Sequence, residues 1–108
     1  MSSINNNNNI KSIKSPKLQG EIVESILIYC INGISICELS FEIQKVIPLS
    51  YKTLKKYLFY LINYELLSYD GQHQIYTTED GGLDLLDRIG EEKRMTMTNT
   101  KDIVITLE

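Results

Sequence analysis

Three lysines within one short stretch are the residues of this chain best placed to do chemistry. Ser50 to Tyr64 reads SYKTLKKYLFYLINY and contains Lys52, Lys55 and Lys56 but no acid. At about 100° per residue, a helix puts Leu54, Tyr57, Leu58 and Leu61 on one side, with Ile62 at its edge. Lys52, Lys56, Phe59, Tyr60 and Asn63 fall on the opposite side, and Lys55 on the flank. Lys52 and Lys56 are neighbours on such a surface, being four residues apart. Ammonium groups at that spacing suit phosphates, or guanine edges in a major groove. Ser50, Tyr51, Thr53, Tyr60 and Asn63 can add hydrogen bonds to the same partners. A solvated face that only aids solubility is the bland alternative. Lys45 and these three lysines have no acid among them from Ile43 to Tyr64, which favours contact with DNA.

Other reactive side chains point to no chemistry. His73 is the only histidine and lies between Gln72 and Gln74. A metal needs more ligands than this, and no partner nucleophile accompanies it. Gln72 and His73 read either as a polar tip that touches DNA or as a solvated turn. Cys30 and Cys37 match no zinc spacing and are expected to be small apolar core residues. Glu79, Asp80, Asp84 and Asp87 lack the spacing of a calcium loop and read as a solvated acidic face that would repel DNA. Phosphate-binding glycine loops, nucleophile triads and paired-acid motifs are absent from the sequence. The expectation is a non-enzyme without metal or cofactor.

The charge is unevenly spread along 108 residues. The net formal charge is −3, yet residues 1–64 carry +3 and residues 65–108 carry −6. An acidic chain that keeps one basic helix is keeping one face positive for a negative partner. Length fits a single domain with a modest core. No apolar run approaches the ~18 residues of a membrane span, and polyasparagine stands where a signal peptide would be apolar. A cytoplasmic location is expected.

The elements that must position the lysines can be read from caps and periodicity. Residues 1–15 are Asn-rich and expected to be disordered, either as a plain tail or as a basic arm carrying Lys11 and Lys14. Ser15-Pro16 predicts the start of a first helix whose apolar face is Leu18, Ile22, Val23, Ile26, Leu27 and Cys30, ended by Asn32-Gly33. Ser35 and Glu38 predict a capping box opening a short second helix that stops before Pro48. Ser50 caps the third. Leu66 to Tyr69, an Asp70-Gly71 turn and Gln74 to Thr77 predict a hairpin. Thr78 is expected to cap a fourth helix with an apolar stripe of Leu83, Leu86 and Ile89, ended by Gly90. Residues 91–108 form a tail or an added strand, with Ile103, Ile105 and Leu107 alternating against Val104 and Thr106. The fold class is α+β: a winged helix-turn-helix domain over residues 16–90, with the hairpin as wing and Ser50 to Tyr64 as recognition helix.

The chain resembles the small archaeal winged helix-turn-helix proteins, a group that includes the 10a-type DNA-binding proteins. Leu49 to Leu67 is similar to the family's recognition helix and its passage into the wing. Ile75 to Leu86, IYTTEDGGLDLL, is similar to its strand and the Thr-Glu-x-Gly that opens the last helix. The resemblance spans roughly Leu18 to Ile89. Glu65 stands where the family usually has glycine, so it must take a left-handed conformation at some cost or close the turn differently. The 10a-type proteins dimerise through a long final helix. Gly90 and the Thr-rich stretch interrupt one here.

The function these features imply is duplex DNA binding by a transcriptional regulator or chromatin component, acting as a homodimer. The rival is a winged-helix module that docks a protein. Phe59 is expected to pack under the wing or against a second subunit. The dimer is expected to use the C-terminal Ile103, Ile105, Leu107 stripe, with Thr96 to Thr100 as a flexible connector.

Overall fold

Serine caps fix the two middle helices. In the computed structural model, which describes residues 16–96 and 102–107, α1 spans Gly20–Tyr29, α2 Ile36–Gln44 and α3 Tyr51–Asn63. Ser35 Oγ accepts from the Glu38 N–H at 3.2 Å, and Ser50 Oγ from the Thr53 N–H at 3.1 Å. The Glu38 carboxylate meets the Ser35 hydroxyl at 3.4 Å, so the box closes between the two side chains. Residues 1–15, with the expected arm and the Ser15 cap, and residues 97–101, with most of the expected connector, lie outside the described residues.

The core forms where the apolar stripes meet. Val23, Ile26 and Leu27 of α1, Leu39 and Ile43 of α2, and Leu54, Leu58 and Leu61 of α3 are all buried. Gly33, at φ +86°, turns the chain out of α1, and the helix itself ends earlier, at Tyr29. Cys30 joins the core, but Cys37 is exposed. The inward positions of α2 are Leu39 and Ile43, which leaves Cys37 on the outer side.

The third helix ends in a Schellman closure built on a non-glycine residue. The Leu66 N–H reaches the Leu61 carbonyl at 2.9 Å, and the Glu65 N–H reaches that of Ile62 at 3.0 Å. Glu65 has φ +61°, so it does adopt the strained left-handed conformation. The wing comes next as β2 (Leu67–Asp70) and β3 (Ile75–Thr78), paired antiparallel with Tyr69 opposite Tyr76. Ile34 adds a bridge to Tyr76. The turn is not the two-residue Asp-Gly type. Asp70 pairs with Ile75 across four residues, and Gln74 rather than Gly71 takes positive φ, +57°. The Asp70 carboxylate causes this, accepting from the N–H groups of Gln72 at 3.0 Å and His73 at 3.3 Å.

The fourth helix, α4 (Asp80–Thr96), departs from expectation in three respects. Thr78 is not its cap, because its hydroxyl donates to the Leu27 carbonyl at 2.6 Å and ties β3 to α1. The buried positions are Gly82, Leu85 and Ile89, while Leu83 is exposed and Leu86 half-buried. Gly90 does not end the helix, which runs across the expected boundary after residue 90. A lone glycine costs a helix only about 1 kcal/mol. The residues after it are good helix formers, and Lys93 pairs with Glu24 of α1 at 3.1 Å.

Both ends of the described chain meet. Lys17–Gln19 forms β1 instead of the first turn of a helix, and it pairs antiparallel with β4 (Val104–Thr106). Leu18 lies opposite Ile105, and Ile103 and Leu107 are buried beside it. The added-strand alternative for the C-terminus is therefore the observed one. The Ile103 and Leu107 stripe is covered by its own domain, which removes it as the expected dimer surface. Three helices, hairpin and helix make the winged helix-turn-helix expected from the sequence, framed by this terminal pair.

Candidate nucleic-acid interface

Helix α3 presents its lysines because its other side is held by the core. Leu54, Tyr57, Leu58 and Leu61 are buried, and the Tyr57 hydroxyl accepts from the Gln19 N–H at 3.1 Å, fastening α3 to β1. Lys52, Lys55, Lys56 and Asn63 are left exposed. Among the described residues, none of these three lysines is in an ion pair. Lys45 is different. Its ammonium sits 3.4 Å from Glu42 and 4.6 Å from the centre of the Phe41 ring, so part of its charge is answered.

The structure divides the remaining sequence-derived candidates. Tyr51 is exposed at the start of α3, with Lys55 Nζ 5.7 Å from its ring centre. Tyr60 is half-buried and meets Phe59 edge-on at 5.8 Å. Ser50 and Thr53 are engaged with each other, the Ser50 hydroxyl donating to Thr53 Oγ1 at 2.9 Å while it caps the helix. Gln72 and His73 are exposed on the wing turn, where His73 Nδ1 lies 2.7 Å from the Asp70 carboxylate. That contact, more than the backbone hydrogen bonds, holds the Asp70 carboxyl below its ordinary 3.8. The wing carries no lysine or arginine from Leu67 to Thr78.

Aromatic rings are the feature that sequence reasoning missed. Phe59 is 60% exposed and does not pack under the wing. Tyr69 and Tyr76 stack across the wing with ring centres 4.5 Å apart. The expected strands, Leu66 to Tyr69 and Gln74 to Thr77, would have set Tyr69 opposite Gln74, so the turn's register hid this pair. Burial, and after it the nearby phenols of Tyr69 and Tyr51, raise the Tyr76 hydroxyl above its ordinary value. Cys30, by contrast, is chemically quiet, its thiol pushed up to about 12 by burial.

The acids are divided, and Glu65, Glu79 and Asp80 line a surface groove with Tyr69 of the wing. Asp84 and Asp87 are exposed on α4, which packs against α1. No helix among the described residues is long and apolar enough to cross a membrane.

A family model described as winged helix-turn-helix matches residues 18–97. No curated protein matches the chain.

Proposed function

Because the chain belongs to the winged helix-turn-helix family, we propose that it binds double-stranded DNA through α3, as a transcriptional regulator or chromatin component in the cytoplasm. The observation that carries this reading is the outward row of Lys52, Lys55 and Lys56, unpaired among the described residues on a helix with no acid. Charge left uncompensated on one face of an acidic protein favours a polyanion. The finer likeness to archaeal 10a-type proteins belongs to the same proposal. So does a homodimer, since two copies present two recognition helices to half-sites about one helical turn apart. Phosphate contacts supply the affinity, and α3 supplies the groove contact.

Fluorescence anisotropy of a labelled duplex against salt tests the reading. Three phosphate contacts per protomer give a log–log slope of about −2.7. A slope near zero would point to the protein-docking alternative, for which the exposed Phe59 is the supporting observation. Light scattering of the free protein and its duplex complex tests the dimer, and a monomer in both would end that part.

A further inference from the structure

Phe59 is placed where neither the fold nor a duplex has use for it. At about 100° per residue it lies within about 30° of the direction opposite the buried stripe of α3, one turn beyond Lys55 and Lys56. It is 60% exposed, and its ring contact is the edge of Tyr60. Base edges in a major groove are read by hydrogen bonds, which a phenyl ring cannot make beyond touching a thymine methyl. Unpaired bases offer flat faces instead, and aromatic side chains take them by stacking. A second ring is exposed on the same helix. Tyr51, 50% exposed, heads the same helix under the Lys55 ammonium. The wing's Tyr69, 44% exposed, lines a surface groove with Glu65, Glu79 and Asp80, so carboxylates rather than ammonium groups flank it. Cations and rings thus share α3, in the order Tyr51, Lys52, Lys55, Lys56 and Phe59.

We propose that this face also holds single-stranded DNA, its unpaired bases stacked on Phe59 and Tyr51 and its phosphates on Lys52, Lys55 and Lys56. The proposal rests on the DNA-binding reading of α3 and deepens it. A duplex engages the lysines alone, whereas an opened strand engages the rings as well. Charge complementarity selects nucleic acid over an apolar protein partner for these rings, because Lys52, Lys55 and Lys56, in no ion pair among the described residues, share their helix.

The test is anisotropy with three labelled DNAs: a single strand, its abasic counterpart with the same phosphates, and the duplex of the same sequence. The full chain should bind the base-bearing strand at least fivefold more tightly than the abasic one. Phe59→Ala should weaken the base-bearing strand by about 5- to 150-fold, the range for one stacked base, and leave the duplex within about twofold. Phe59→Trp should keep the strand bound, and unchanged thermal unfolding shows both variants folded. Equal affinity for abasic and base-bearing strands would overturn the proposal. So would a Phe59→Ala variant that loses self-association but no strand affinity, because the ring would then face a second copy. A labelled RNA strand of the same sequence is the fourth probe, and its binding tenfold more tightly than the DNA strand would overturn the assignment to DNA. Duplex binding without strand binding refutes this inference and leaves the proposed function standing. Binding to none of the DNAs refutes both.

Discussion

Replacing Gly82 by alanine should lower the melting temperature, although alanine is the better helix former. Gly82 lies in the first turns of α4 and is buried. A Cβ there would press on the Leu66 carbonyl oxygen, come within 2.7 Å of Thr78 Cγ2 and within 3.1 Å of Leu27 Cδ2. The carbonyl belongs to the turn between α3 and the wing and accepts the Glu79 N–H at 3.0 Å, so it cannot swing aside. Forcing a methyl into such a packed site costs about 1–3 kcal/mol or more, against about 1 kcal/mol gained in helix propensity. At about 4–8 °C per kcal/mol for a domain of this size, a net loss of about 1–2 kcal/mol lowers Tm by about 4–16 °C. Gly90 supplies the control within the same helix. Its added Cβ would meet nothing closer than Arg94 Nη1 at 3.7 Å, an ordinary contact. Gly90→Ala should therefore raise Tm by about 2–8 °C. Circular dichroism melts of both variants give the two signs. If Gly82→Ala raised Tm as Gly90→Ala does, α4 would not lie against the Leu66 carbonyl, and the placement of the wing by α4 would fall with it.

The recognition face, the core and the wing turn give three further tests. Lys52→Ala with Lys56→Ala should reduce the salt slope of duplex binding by about two and leave the melt unchanged; unchanged affinity in the folded double variant would remove α3 from the interface. Leu58→Ala should cost about 2–5 kcal/mol in urea unfolding, since Leu58 is 2% exposed in the centre of the core; a loss below about 1 kcal/mol would contradict its burial. Asp70 should titrate below 3.8, and His73→Ala should move it back toward that value, because the imidazole contact is the largest cause of the shift. The folded value is the depressed one. The turn is therefore favoured above the ordinary carboxylate range, and that contribution fades as pH falls through the lowered value. An NMR titration that finds Asp70 at its ordinary value in the parent protein would refute the contact.

The parts legible in the sequence are those written in local chemistry. Ser35 and Ser50 cap their helices with the next turn's N–H groups, so each cap is readable within four residues. The phase of α3 is given by the spacing of Leu54, Tyr57, Leu58 and Leu61. The strain at Glu65 is signalled by a non-glycine residue at the helix end, where a left-handed cap favours glycine. Features set by distant partners are not legible. Leu18 fits a helical stripe by spacing, but its partner Ile105 lies at the far end of the chain. Thr78 has the chemistry of a cap, and only the folded chain brings the Leu27 carbonyl of α1 to its hydroxyl. Gly90 has the chemistry of a terminator, yet Lys93, in the next turn, is anchored by Glu24 on another helix. On the candidate interface, the lysines can be placed from periodicity alone. The Tyr69–Tyr76 pair cannot, because it depends on how Asp70 gathers the turn.

The β1–β4 pair also decides how the domain responds to force. Its register sets Lys17 against Thr106 and Gln19 against Val104, so the chain leaves β1 and β4 from the same end of the ribbon. Tension applied through those two exits does not shear the ladder, in which all its bonds would resist together. It opens them one after another, beginning beside Pro16, where the Leu107 N–H bonds the Pro16 carbonyl at 3.3 Å. Of the described residues, tension entering from either side loads this seam first. Peeling it strips Ile103 and Leu107 from the core before any helix is loaded. It then reaches the Gly20 N–H to Ile103 carbonyl bond and the Gln19 N–H that holds Tyr57. The seam that closes the fold is thus also its tear line, and the tear runs directly to α3.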